Sequence, residues 1–157
     1  MNHGLPNSTI RHGNREGAPS KKLTTPCVLI VDDDQAVRTL LAASLEDLGC
    51  KTVMAGNGEE ALQVLHAKPS VDLTVAEVAM RVMGGLDLLR AMRETDGLKQ
   101  LPVILCSTTI DETILKQAVE YKCGRYLLKP VNAEFLFSQI SSLLRQEAFR
   151  RTDRSVS

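Results

Sequence analysis

The chain has 157 residues, enough for one ordinary domain and short of two. Hydrophobic residues make up 43% and charged residues 24%, which excludes a wholly disordered, fibrous or collagen-like chain. Lys plus Arg number 19 and Asp plus Glu number 19, so the net charge is zero, which argues against a broad basic surface for nucleic acid. The charge is uneven. Residues 1–25 carry Arg11, Arg15, Lys21 and Lys22 against Glu16, a net of +3, and residues 145–157 carry Arg145, Arg150, Arg151 and Arg154 against Glu147 and Asp153, a net of +2. The body between them is therefore at −5. Aromatics are only 3% with no Trp, so no base-stacking platform is expected. No apolar run approaches about 18 residues, and Met1 to Pro26 holds no apolar stretch of signal-peptide length. Cys27, Cys50, Cys106 and Cys123 form no C-x-x-C and have no His at zinc-like spacing. They read as reduced core thiols of a cytoplasmic protein.

Residues 1–25 are rich in Gly, Pro, Asn, Ser and basic residues without apolar period, which predicts a disordered basic leader. A solvated tail is the preferred reading of its charge, over contact with an acidic partner or membrane surface. Cys27 to Val31 is a short apolar run of the buried parallel-strand type, ending in Asp32, Asp33 and Asp34. A helix follows with Val37, Leu40, Leu41, Ser44, Leu45 and Leu48 on one face, stopped at Gly49. Lys51 to Ala55 predicts a second strand, and Glu59 to His66 a helix with Ala61, Leu62 and Leu65 inward. Asp72 to Ala76 predicts the third strand with Glu77 at its carboxyl end, and Gly84-Gly85 opens a helix through Leu86, Leu89 and Met92. Val103 to Cys106 is a fourth strand followed by Ser107 and Thr108, and Asp111 caps a helix to about Tyr121. Arg125 to Leu128 is a fifth strand ending in Lys129-Pro130, and Asn132 caps a last helix with Phe135, Leu136, Ile140, Leu143 and Leu144 on its apolar face. The domain is expected over 26–148, with a polar tail over 149–157.

Five β-α units in a row imply an α/β fold, a five-stranded parallel sheet with helices on both faces. In such sheets, sites form at the carboxyl ends of the strands. That edge collects Asp32, Asp33, Asp34, Glu77, Ser107, Thr108 and Lys129. Clustered carboxylates call for a compensating cation, and Mg²⁺ is the usual hard-cation solution. A hydroxyl and a Lys suit phosphoryl oxygens. The bland alternative is a surface salt bridge among Asp33, Glu77 and Lys129.

Four segments carry a family resemblance. VLIVDDDQAVRTLL resembles the first strand, acidic pair and first helix of a response-regulator receiver domain, of the CheY-like, flavodoxin-like doubly wound kind. VDLTVAEVAMRVMGGLDLLRAMR resembles its phosphoacceptor strand, loop and third helix, PVILCST its fourth strand, and RYLLKP its fifth. The resemblance covers about residues 27–146. It implies that Asp32 and Asp33 are the acidic pair, with Asp33 the more direct metal ligand and Ala79 lending a backbone carbonyl. It implies that Ser107 and Lys129 contact a phosphoryl group, that Tyr126 is the switch aromatic, and that Pro130 often follows a cis peptide. In the family, phosphate passes from a histidine kinase to an aspartate, which shifts the surface of the fourth helix and fifth strand.

At that aspartate the family pattern departs from this chain, which has Glu77. Lesser departures are Arg81 where Pro is usual, Gly84 where Asp is common, and Lys122 where a helix–strand turn usually has Gly. The expected function is thus a stand-alone atypical receiver, or pseudo-receiver, in two-component phosphorelay signalling. It would act by protein–protein contact and independently of phosphorylation, with no catalytic residues. Expected partners are a histidine kinase, a phosphotransfer protein or a downstream signalling protein, with homodimerisation an option. No nucleic acid or membrane is expected. Mg²⁺ would bind weakly, through Asp33 and Glu77. Two alternatives stay open: a conventional receiver phosphorylated on a neighbouring carboxylate, and a haloacid-dehalogenase-like phosphatase using Asp32-Asp33-Asp34. The second wants a further acidic pair after Lys129, where Glu134 stands almost alone.

Overall fold

The computed structural model describes residues 25–154. The expected leader falls almost wholly outside that range, as do residues 155–157. The element order is β1 (Cys27–Val31), α1 (Gln35–Asp47), β2 (Lys51–Ala55), α2 (Gly58–Ala67), β3 (Leu73–Glu77), α3 (Gly85–Arg93), β4 (Val103–Ser107), α4 (Glu112–Glu120), β5 (Arg125–Leu128) and α5 (Ala133–Arg154). The strands pair in parallel in the order β2-β1-β3-β4-β5.

Strand alternation sorts the core into two layers. Val28 and Ile30 of β1, Leu73 and Val75 of β3, and Ile104 and Cys106 of β4 pack with Ala42 and Leu45 of α1 and Leu136, Ile140 and Leu143 of α5. The intervening Leu29, Val31, Ala76, Val103 and Leu105 face Ala61 and Leu65 of α2, Leu88, Leu89 and Met92 of α3, and Ala118 of α4. Each leucine fully removed from water contributes about 2 kcal/mol, so both layers are needed to hold the sheet.

Helix starts follow local chemistry. The Asp34 carboxylate accepts from the N–H groups of Ala36 and Val37, Asn57 from Glu60, Asp111 from Thr113 and Ile114, and Asn132 from Glu134 and Phe135. Helix α3 has no such side chain, because Gly84 and Gly85 are held against β3. A Cβ at Gly85 would lie 2.4 Å from the Glu77 carbonyl oxygen, and one at Gly84 2.3 Å from that of Val78.

Three expectations about faces change. Val37 and Leu40, read as the inward face of α1, are exposed, Leu40 at 70%. The buried residues of α1 are Ala42 and Leu45, with Leu41 packed partly against the same layer, while Val37 and Leu40 wall an open crevice. Phe135 of α5 is likewise half-exposed. Helix α5 continues to Arg154, so residues 149–154 of the expected tail belong to it.

Candidate functional site

Strand alternation also builds the site. Val31 pairs with Ala76 and Glu77 with Cys106, so Asp32, directly after β1, comes level with Glu77. Cys106 pairs with Leu127, and Lys129 stands two residues beyond Leu127 on the same side. All three side chains therefore fall on the α1–α5 side of the sheet. The Lys129 ammonium donates to Asp32 Oδ2 at 2.9 Å and to Glu77 Oε2. The Asp32 and Glu77 side chains are only 9% and 11% exposed, and Lys129 is 23% exposed.

Two carboxylates share one ammonium, and the pKa shifts follow from that imbalance. Burial pushes the Glu77 carboxyl above its ordinary value; the hydrogen bond and charge of Lys129 oppose the rise without cancelling it, and Asp32 adds to it. Burial by itself would lower the Lys129 pKa, but its bonds to Glu77 and Asp32 outweigh burial and leave a net rise. The Cys106 thiol beneath the triad is pushed up to about 12 by burial, which keeps it protonated at neutral pH.

The structure separates the acidic pair. Asp32 is buried, its Oδ1 accepting from the Asp34 N–H at 2.9 Å. Asp33 is exposed, and its Oδ2 accepts from the Arg81 N–H at 3.4 Å. The bland sequence reading placed Asp33, Glu77 and Lys129 in a surface salt bridge; Glu77 and Lys129 do pair, Asp32 stands in the place of Asp33, and the group is largely buried. Ala79 is exposed on the loop after β3. Ser107 is buried, with its Oγ accepting from the Thr109 N–H at 3.2 Å and its carbonyl from the Lys129 N–H at 2.7 Å. The Tyr126 hydroxyl donates to the Thr109 carbonyl at 3.3 Å, away from the triad. The Lys129–Pro130 peptide is cis.

Arg38 escaped the sequence reading. Its Nη1 donates to the Asp32 carbonyl at 2.5 Å and holds the loop that carries both aspartates. The available signal was a lone cation one helical turn into an acidic stretch. Val82, on the loop after β3, is a second omission: it is 77% exposed with φ 70°, a strained conformation for a β-branched residue. A crevice of about 530 Å³ opens beside the triad, walled by Val37, Leu40 and Leu41 of α1 and by Val131 and Leu136. Among the described residues, no group of three or more His, Cys, Asp or Glu converges as a metal-binding cluster. No helix there is long and apolar enough to cross a membrane.

This geometry agrees with the comparisons. The pattern of the response regulator receiver domain matches residues 28–141. The transcriptional regulatory protein AfsQ1 of Streptomyces coelicolor is 33% identical over 128 residues, 82% of this chain and 55% of AfsQ1. This chain thus spans about half the length of that regulator. The chemotaxis protein CheY of Pseudomonas aeruginosa is 34% identical over 117 residues, 74% of this chain and 94% of CheY. A crystal structure of a response regulator receiver protein from Pseudomonas putida superposes with a TM-score of 0.71 at 30% identity, covering 75% of this chain and 97% of that one. The match is to a signalling module and not to a phosphatase family. A parallel sheet in this order, with acidic, hydroxyl and ammonium groups at its carboxyl edge, and a pattern match over most of the chain lead to one conclusion: the protein belongs to the response regulator receiver domain family.

Proposed function

We propose that this receiver signals by protein–protein contact without being phosphorylated, because Glu77 occupies the position of the phosphoacceptor aspartate. The observation that carries this reading is the triad, in which the Glu77 carboxylate already holds the lysine that would otherwise meet a phosphoryl oxygen. The extra methylene moves the carboxylate by about 1.5 Å along the side chain. Misplacement of about 1 Å costs on the order of 100-fold in a group-transfer rate. The carboxylate imitates a phosphoryl group in part, bringing less charge and fewer acceptor oxygens. Ser107 and Tyr126 complete the switch apparatus in this reading. Mg²⁺ binding is weak: Asp33 would hold the ion with Glu77, in competition with Lys129. Partners are a histidine kinase, a phosphotransfer protein or a downstream signalling protein, and the four free thiols fit a reducing cytoplasm.

The test is intact mass after incubation with Mg²⁺ and acetyl phosphate, comparing the native protein with Glu77→Asp. A phosphoryl adduct on the Asp variant alone is the expected result. An adduct on the native protein would overturn the proposal. No adduct on either would leave a binding scaffold whose pocket has lost phosphoryl chemistry altogether.

A further inference from the structure

At the amino-terminal end of the sheet, opposite the triad, lies a second crevice of about 610 Å³. Its apolar lining includes Leu65, Leu98 and Leu144, and its rim carries Asp72, Asp96 and Glu147 against Lys68 and Arg151. Two features set it apart from the shared body of the domain. One wall is the continuation of α5, with Leu144, Glu147, Ala148 and Arg151 all beyond the family match, which ends at residue 141. The opposite lip is Pro26, which precedes that match and is where the basic leader joins the domain. Pro26 is pinned there, its carbonyl accepting from the Lys51 N–H at 2.9 Å.

We propose that this crevice is the docking site for the chain's own segment Lys21-Lys22-Leu23-Thr24, with Leu23 against the apolar lining and the two lysines beside the rim carboxylates. Leu23 supplies the segment's one large apolar side chain for the leucine lining, and its two lysines would join Asp72, Asp96 and Glu147, of which Asp96 and Glu147 also meet Lys99 and Arg150. Reach suits it too. Leu23 is three residues before Pro26, and three extended residues span about 10 Å. The tether makes binding intramolecular, with an effective concentration on the order of millimolar, so a modest contact suffices. The contact would clasp the start of β1 to the last turns of α5, joining the two segments that the receiver pattern does not include.

Timed tryptic digestion of the full chain tests it. Cleavage after Lys21 and Lys22 is compared with cleavage after Arg11, each normalised to a synthetic peptide of residues 1–26. Seating of the segment is expected to slow cleavage at the lysines by about tenfold relative to Arg11, since the protease reads the open population. Leu23→Asp is expected to remove that protection. Ala148→Arg, at an exposed position of α5 on the crevice wall, is expected to remove it as well. Equal normalised rates in the native chain would overturn the proposal, and protection that persists in Ala148→Arg would overturn the assigned site. Protection that survives about a hundredfold dilution marks an intramolecular contact, whereas protection lost on dilution means that a second copy supplies the segment and refutes the clasp.

Discussion

The two ends of this parallel sheet are made of different material. The carboxyl end gathers Asp32, Glu77 and Lys129 into a largely buried triad in which charge is one cation short of balance. The amino end has its carboxylates and cations on the rim of an apolar crevice, and the pairs seen there, Lys99–Asp96 in the turn after α3 and Arg150–Glu147 on α5, are neighbours three residues apart whose cations are exposed. Buried pairs hold a geometry because breaking one strands a charge, whereas exposed pairs contribute little. The carboxyl end is therefore stiffened by electrostatics and the amino end by packing.

Substitutions at the two ends should separate these mechanisms. Lys129→Met strands two buried carboxylates and is expected to cost about 3 kcal/mol, in the lower part of the range for buried pairs because the lysine is partly exposed. Urea unfolding at neutral pH measures it, and an unchanged midpoint would show that the triad holds nothing. At the other end, Leu98→Ala removes a 9% exposed side chain and is expected to cost about 2.5 kcal/mol with no dependence on pH. A pH-dependent loss there would blur the distinction between the ends.

Smaller effects sharpen it. Val82→Gly relieves the φ of 70° and should raise stability by about 1 kcal/mol, measured as a higher urea midpoint; a lower midpoint would mean that the loop gains more from the valine than it spends on strain. Glu77→Gln leaves the Asp32–Lys129 pair intact and should change stability by less than about 1 kcal/mol at neutral pH. The pH dependence of that difference has a definite sign. The Glu77 carboxyl has a raised pKa in the folded chain, so the folded state holds the proton more tightly than the unfolded one. Its contribution is present at low pH and falls as pH rises from the ordinary value of 4.5 through the folded value. The native protein should therefore lose ground to Glu77→Gln as pH rises from 4.5 through that folded value. The opposite trend would mean that Lys129 overcompensates burial.

Much of this was legible in the sequence because its signals are local. Apolar runs of strand length gave Cys27–Val31, Lys51–Ala55 and Arg125–Leu128 to the residue. Asp111 and Asn132 announced helix starts by side-chain chemistry that needs no tertiary partner, whereas the caps at Asp34 and Asn57 emerged only in the structure. Periodicity misled at Val37, Leu40 and Phe135, since an apolar stripe does not reveal which of its residues are covered by neighbouring elements. Adjacency misled at the acidic pair: Asp32 and Asp33 are neighbours in the chain, yet one is buried against Lys129 and the other faces solvent.

The sequence by itself determined the alternation of strands and helices, the doubly wound class, and the set of residues destined for the carboxyl edge, because these depend on spacing and residue chemistry along the chain. Which of those residues meet was decided only by the tertiary structure. Strand register brought Asp32 level with Glu77, Lys129 reached back to both from across the sheet, and the length of α5 made a wall for the crevice at the far end. Contacts between residues 97 positions apart, as for Lys129 and Asp32, arise from the order in which strands pair, and no local signal encodes that order.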